Sequence, residues 1–276
     1  MSIIDFLRRV SLYRLTFYYL AVLLVSAAVL GFFGLLPYRP ADLVFSTLLI
    51  LLACWATNWL FAKTFGATSS VESVAVTALI LVLIIAPFSP TDFASAGFAI
   101  FASAWAMASK YIFAMRRKHF FNPAAFGIAI AAVCLGPSAS WWIGGNLILL
   151  PIVIAGGLLV LFKIRCFDLI STFGCVALMT VAVAAGWQNA QTSVVQMLFH
   201  SMFAFFAFVM LTEPRTTPWG WPRRIVYAAI VGFFFAPEIH LGSYYFTPEI
   251  ALLIGNVFAA LATPRKWLAR PIIARV

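Results

Sequence analysis

The sequence predicts an all-α integral membrane protein with ten transmembrane helices in two inverted five-helix repeats, some of the helices short or broken. Three observations predict this fold. The first is composition, because 64% of the residues are hydrophobic and 9% are charged, with a mean hydropathy of +1.04, unlike the usual mixture in a soluble protein. The second is the distribution of Lys and Arg, and the third is a helix start that occurs twice.

The first observation gives the number of spans. A helix that crosses a bilayer needs roughly 20 mostly apolar residues. Cutting the apolar runs at Pro, Gly and charged clusters leaves ten candidates. They lie at 15–36, 42–62, 70–87, 92–113, 122–136, 142–162, 167–187, 193–213, 224–237 and 248–263.

The positions of the positively charged residues agree with a division into ten spans. Of the 18 Lys and Arg residues, all except Arg39 lie towards one face when the ten spans alternate in direction. Cytoplasmic connections are enriched in Lys and Arg, so we expect both termini in the cytoplasm. Attraction to anionic lipid head groups accounts for the net charge of +10, and no nucleic-acid partner is expected.

The third observation is a tripeptide, FNP at 121–123, that recurs as FTP at 246–248. Asn or Thr supplies an N-cap oxygen, and the Pro after it takes a first helical position where a missing N–H costs nothing. The motif therefore predicts sharp starts for the fifth and tenth spans. Because five is odd, a repeat of five helices inserts its second copy upside down, which divides the chain into halves at 1–137 and 138–276.

Two further starts have the spacing of a capping box, in which Ser is followed three residues later by Glu or Gln. Ser69 and Glu72 open the third span, and Ser193 and Gln196 open the eighth. The two pairs are separated by nearly the same interval as the tripeptides. The third and eighth spans are therefore predicted to be mates in the repeat.

The fifth span, 122–136, is unusually short. Its 15 or so residues would extend about 22 Å at 1.5 Å per residue, less than a hydrocarbon core of roughly 30 Å. We therefore expect this helix to begin inside the protein. A helix start at that depth must face a polar cavity or a ligand, where its exposed amides present partial positive charge.

These starts and ends sort into two polar sites, one near each face. The third and fifth spans begin, and the eighth ends, towards the cytoplasm; their mates lie at the opposite face. We predict that a cytoplasmic site gathers Ser70, Glu72, Asn122, Thr212 and Glu213. The full set of candidate cofactor-binding residues is Ser70, Glu72, Thr77, Phe121, Asn122, Pro123, His200, Thr212, Glu213, Pro214, Thr247 and Glu249.

Several of these residues have two interpretations. Glu72 is either the acceptor half of a capping box or a ligand contact. His200, within the eighth span, is either a packed and hydrogen-bonded side chain or a proton relay or ligand contact. Glu213 precedes Pro214 at a helix end, where a carboxylate meets an unfavourable dipole, so a function at this position is favoured. The aromatic residues, 16% of the chain, would suit either a flat ligand or the membrane interface.

The motifs resemble a known family, the NqrB/RnfD family of membrane proteins, which serve the Na+-translocating NADH:quinone oxidoreductase and the Rnf electron-transport complex. The similar segments are SSVESVAVTALILVLIIAP, FNPAAFG, WIGGNLILLPIVIAGGLLVLFKIRCFDL, LTEPRTTP and YYFTPEIALLIGNVFAAL. The resemblance runs in order from about residue 40 to 266. It implies bound riboflavin or FMN, electron transport in the bacterial inner membrane, a cytoplasmic NAD(P)H-dependent reductase or other redox subunits as partners, and a quinone as a possible acceptor.

In that family FMN is usually esterified to a threonine between the fifth and sixth helices. Here the connection reads GPSASWW and lacks such an acceptor, while the similar FGAT at 65–68 lies between the second and third spans. We therefore expect a noncovalent flavin. Two alternatives are a channel or carrier for a small solute or vitamin on the same fold, and a structural anchor for a reductase that uses the basic tail at 264–276.

Overall fold

The computed structural model describes residues 9–67, 70–115 and 118–262. Thr68, Ser69 and the basic tail lie outside these ranges. In the described part, eleven helices and two hairpins of two-residue strands follow one another. The helices are α1 (Leu12–Phe32), α2 (Pro40–Phe65), α3 (Val71–Ile84), α4 (Phe93–Ile112), α5 (Pro123–Leu135), α6 (Leu150–Ile164), α7 (Phe167–Ala184), α8 (Gly186–His200), α9 (Phe203–Met210), α10 (Trp221–Phe235) and α11 (Pro248–Ala262). The antiparallel hairpins pair β1 (Ala114–Met115) with β2 (Lys118–His119), and β3 (His240–Leu241) with β4 (Tyr244–Tyr245).

By length and composition, the described helices are those of an all-α membrane protein. Three of them, α1, α2 and α7, are long and apolar enough to cross a bilayer, and α8 with α9 would make a fourth as one span bent by 62°. The apolar helices α3, α5, α6 and α11 have 13 to 15 residues each. The structure thus supports three or four of the ten predicted spans.

The two starts predicted from the tripeptide are confirmed. Asn122 is the N-cap of α5, its side-chain oxygen accepts the N–H of Ala125 at 3.0 Å, and Pro123 is the first helical residue. The hydroxyl of Thr247 accepts the N–H of Ile250 at 3.5 Å at the start of α11. With 13 residues, α5 is about 20 Å long and too short to cross a hydrocarbon core alone.

The predicted cap of α3 is displaced by one residue. The N-cap is Ser70, whose hydroxyl accepts the N–H of Ser73 at 3.3 Å. Glu72 is therefore the second helical residue, one position short of the third, from which a capping-box carboxylate reaches back. Its carboxylate instead pairs with Arg14 of α1 at 2.7 Å.

The predicted eighth span, 193–213, is wrong as a continuous helix. Ser193 and Gln196 lie inside α8, which begins at Gly186, where a backbone φ of +73° suits glycine. The helix then breaks at Ser201, whose backbone is extended. The Ser201 hydroxyl donates to the carbonyl of Met197 and accepts the N–H of Phe203, so it satisfies backbone groups on both sides of the break.

The core is arranged around α3. Every residue from Val76 to Ile84 is buried, which agrees with a helix that is apolar all round. In the first part of the chain α1 and α2 pack on α3, and α4 packs on both α2 and α5. Later in the chain α10 packs on both α7 and α11, α9 packs on α6 and α7, and α5 contacts α11. The end of α3 at Ile84 and the start of α5 at Asn122 lie within the packed body, since both residues are buried.

Small residues allow α4 and α5 to approach closely. A Cβ atom added to Gly127 would lie 2.2 Å from the carbonyl oxygen of Ala102 and 2.8 Å from the Cβ of Ala106. Close backbone contact of this kind is typical of helix pairs in membranes, where small side chains form the interface. The position of α5, and hence of Asn122 at its start, depends on this contact.

Replacing Gly127 tests this packing. We expect Gly127→Ala to lower stability by about 1–3 kcal/mol, because the added methyl group overpacks the α4–α5 contact. Gly97→Ala is the matched control, since Gly97 lies in α4 with nothing within 4 Å of an added Cβ; it should be neutral or stabilising, because Ala favours a helix over Gly by about 1 kcal/mol. Thermal unfolding in detergent measures both. Equal stabilisation by the two changes would contradict the close contact.

Candidate functional site

A cleft opens where α3 and α5 begin and α9 ends. Six of the predicted site residues line it: Thr77, Asn122, Pro123, Thr212, Glu213 and Pro214. We call it the Asn122 cleft. It exists because α5 starts and α9 ends inside the packed body, beside the first turns of α3, which leaves a gap between the three helices.

The remaining walls are mostly aromatic and apolar. Tyr13, Thr16 and Tyr19 come from α1 and Phe208 from α9. The empty space is about 640 Å³ with the open mouth included.

Asn122 uses its hydrogen-bonding groups within the protein. Its Oδ1 caps Ala125, its Nδ2 donates to the carbonyl of Met210 at 3.3 Å, and its backbone N–H donates to Oδ1 of Asn256 at 2.8 Å. Asn122 therefore fixes the start of α5 against α9 and α11 and is a positioning residue. Ala124, the second residue of α5, also lines the cleft.

The threonine hydroxyls of the cleft also bond within their own helices. Thr77 donates to the carbonyl of Ser73 at 3.0 Å, and Thr212 donates to the carbonyl of Phe208 at 2.7 Å. Both hydroxyl protons are thus used. These two side chains can still accept a hydrogen bond from a bound molecule.

Glu213 differs from its neighbours in having one oxygen to spare. Its Oε1 lies 2.8 Å from Nε2 of His119, and the two side chains are 18% and 3% exposed. Its Oε2 is buried and has no hydrogen-bond partner among the described residues. The backbone carbonyl of Glu213 accepts the N–H groups of Thr216 and Thr217 at 3.2 and 3.0 Å, so a tight turn holds the residue in place.

Two cationic side chains lie close to the cleft. Lys110, in the last turn of α4, donates from Nζ to the carbonyl and the hydroxyl of Ser73 at 2.9 and 3.2 Å. The guanidinium carbon of Arg215 lies 5.5 Å from the centre of the Tyr13 ring. These residues place positive charge around the start of α3 and the turn after α9.

Sequence reasoning missed Tyr13, Lys110 and His119 as members of this region. A signal was present for Lys110, because an ionisable side chain inside an apolar span is often functional. His119 ends β2, and its buried ring reaches Glu213, which is 94 residues away in the sequence. No local pattern indicates that pairing.

The other six predicted residues do not line the cleft, and four of them lie elsewhere on the same side of the fold or in α8. Ser70 caps α3, and Glu72 pairs with Arg14 in an exposed ion pair. Phe121 packs in an aromatic cluster beside the start of α5. His200 is exposed and is the last residue of α8, because the helix breaks directly after it. The interpretation of His200 as a packed side chain is therefore wrong, and the alternative, a proton relay or ligand contact, stays a prediction.

The two predicted residues at the opposite end of the fold lie beside the end of α3. Glu249 is 2% exposed, and its Oε1 accepts the indole N–H of Trp141 at 2.8 Å. The backbone N–H of Trp141 donates to the carbonyl of Ile84 at 2.9 Å, and the indole of Trp142 donates to the carbonyl of Val82 at 3.0 Å. We call this arrangement the Glu249 cluster.

The Glu249 cluster is filled by the chain itself. Trp141 has a backbone φ of +51°, which is uncommon for a bulky residue, and its ring is buried. Thr247, the other predicted residue at this end, caps α11. The two ends of α3 therefore differ, because one faces the Asn122 cleft and the other is covered by tryptophan side chains.

Fold and site together define a class, an all-α membrane protein with a polar cleft between helix ends inside its packed body. Neither a protein-family model nor a curated protein matches the chain. The family resemblance drawn from the motifs therefore stays a prediction. What the protein does has to be argued from the chemistry of the cleft.

The Glu249 cluster yields a stability prediction. Trp141→Phe should lower the free energy of unfolding by about 1–3 kcal/mol, because a buried carboxyl group loses its donor. Glu249→Gln should cost less, since an amide oxygen can still accept from the indole. Thermal unfolding of both variants in detergent measures the difference. A Trp141→Phe variant as stable as the starting protein would show that the indole contact contributes nothing.

Proposed function

We propose that this chain is the flavin-binding membrane subunit of an electron-transport system. It would accept electrons from a cytoplasmic NAD(P)H-dependent reductase and pass them, through noncovalently bound riboflavin or FMN, within or across the bacterial inner membrane. A bound flavin would supply the redox chemistry. The observation that carries the proposal is the Asn122 cleft, a cavity where α3 and α5 begin and α9 ends.

The residues of the cleft suit a flavin in shape and charge. Tyr13, Tyr19 and Phe208 offer ring faces and edges to a flat aromatic system. The N–H of Ala124 lies at the positive end of the α5 dipole, which favours negative charge on a bound molecule. Glu213 and Tyr13 supply buried polar atoms for the polar edge of the ring. Aromatic walls and a polar corner therefore support a planar heterocycle as the occupant.

The order of packed helices supports the inverted repeat that the proposal includes. The pairs α4–α5, α2–α4 and α1–α3 recur as α10–α11, α7–α10 and α6–α9. This correspondence is expected if α8 and α9 together replace one helix of the second half. Paired halves with broken helices are common in membrane transport proteins, where sites lie between the repeats. It is also the arrangement that the family resemblance implies.

The charges near the cleft support its assignment to the cytoplasmic face. Arg14, Lys110 and Arg215 all belong to segments around the same helix ends, and positive residues favour the cytoplasmic side. A reductase would then deliver electrons at this face. A quinone dissolved in the membrane would be a suitable acceptor.

A carrier for a small solute is the second candidate, and one observation favours it. The Asn122 cleft is open while Trp141 covers the opposite end of α3, and α8 meets α9 at a bend of 62°. A carrier needs a site that is accessible from one side at a time. Uptake of riboflavin into proteoliposomes without any reductant would favour transport over electron transfer.

Filling the cleft tests the proposed function. Purified protein should bind riboflavin or FMN, seen as quenched flavin fluorescence and identified by mass spectrometry of the extracted cofactor. Thr16→Trp should weaken this binding at least about tenfold, because Thr16 lines the cleft and a bulky side chain there would occupy the ligand's space. Tyr18→Trp is the matched control, since Tyr18 is on the same helix and 48% exposed.

The proposal would be overturned in either of two ways. The purified protein could fail to bind any flavin, alone or with flavin added. Alternatively, both tryptophan variants could bind flavin as tightly as the starting protein, which would place the flavin outside the Asn122 cleft. Thermal unfolding of each variant shows whether a loss of binding reflects a loss of structure.

A further inference from the structure

Three buried polar atoms beside the cleft lack hydrogen-bond partners among the described residues. They are Oε2 of Glu213, the hydroxyl of Tyr13 and Nε of Arg215. Buried polar atoms in folded proteins are nearly always paired, and an unpaired one is costly in a low-dielectric interior. Three unpaired polar atoms at one place indicate a site for a polar ligand.

The other polar groups of the cleft cannot serve as that spot. Asn122 bonds to Ala125, Met210 and Asn256. The protons of the two threonine hydroxyls are used within their helices. Besides the two threonine oxygens, which can only accept, the cleft keeps one carboxylate acceptor, from Glu213. The hydroxyl of Tyr13 lies in the same cleft, with the guanidinium of Arg215 against its ring.

The protein holds this acceptor in a fixed direction. His119 engages Oε1 of Glu213 at 2.8 Å, and the turn that ends with Thr217 holds the backbone through a hydroxyl contact of 2.8 Å to the Glu213 carbonyl. Glu213 also lines the cleft. A ligand that enters therefore meets a carboxylate oxygen that is already oriented and has no competing partner among the described residues.

The complement of this arrangement is an N–H group with a carbonyl oxygen beside it, as in a cyclic imide. The pyrimidine ring of a flavin has such an edge, with its N3–H between two carbonyl groups. We propose that Glu213 accepts the N3–H of the bound flavin and that Tyr13 donates to an adjacent carbonyl, an inference that rests on the proposed function. Glu213, and neither Asn122 nor Thr212, is then the residue that recognises the ring.

This assignment also separates flavins from quinones at the cleft. An oxidised quinone has acceptor oxygens on its ring and no N–H group. Its carbonyl would face the carboxylate of Glu213, and two acceptors repel each other across a dry contact. The cleft should therefore select the flavin, and a quinone acceptor would bind elsewhere.

A flavin methylated at N3 tests the proposal, because it lacks the donor. Affinities of riboflavin and 3-methylriboflavin are measured by fluorescence quenching for the full chain in detergent and for Glu213→Leu. The full chain should prefer riboflavin at least about tenfold, as loss of a hydrogen bond to a charged group predicts. Glu213→Leu has a side chain of similar size without an acceptor, so it should bind riboflavin more weakly and lose most of the preference, while thermal unfolding shows whether the variant is folded.

Each outcome has one meaning. A preference that is equal in both proteins would show that the methyl group acts by bulk alone and would overturn the role of Glu213. Equal binding of the two flavins by the full chain would overturn it too, while leaving flavin binding intact. Absence of riboflavin binding by the full chain would overturn the proposed function itself. Menadione, a quinone without an N–H group, should fail to displace riboflavin; displacement would contradict the selectivity.

Discussion

The whole structure depends on how helix ends are satisfied inside an apolar body. A helix that stops or starts there leaves amides or carbonyls without partners, and no water is at hand in a bilayer core to replace them. Asn122 and Asn256 meet this demand at the start of α5, and Ser140 and Trp141 meet it at the end of α3. Each short helix is possible only because a specific side chain reaches its end.

The same constraint explains why the two ends of α3 differ. At the Glu249 cluster the tryptophan side chains supply donors and also fill the space, so little surface is left for another molecule. At the Asn122 cleft the caps are small, and the space between the helix ends stays open. The size of a few side chains thus decides which end of α3 is open and which is closed. The turn that ends at Met210 is π-helical, and Asn122 donates to the carbonyl of Met210. Such π-helical turns often occur at functional sites.

The sequence predicted the parts of this structure that depend on local chemistry. The starts at Pro123 and Pro248 follow from a cap residue and a proline that are adjacent in the chain, and composition alone indicated a helical membrane protein. The break at Ser201 was missed because its apolar flanks read as one continuous span. Contacts such as His119 with Glu213 and Trp141 with Glu249 join residues that are 94 and 108 positions apart, so no short motif reveals them. Half of the candidate site residues line the Asn122 cleft.

The most direct test of the central claim is a cryo-electron microscopy map of the protein purified with riboflavin in lipid nanodiscs. The account predicts planar density in the Asn122 cleft, between α1 and the start of α5, with the pyrimidine edge of the ring turned towards Glu213. Density for the flavin at another place, or a cleft that contains only lipid or water while flavin is bound to the sample, would contradict it.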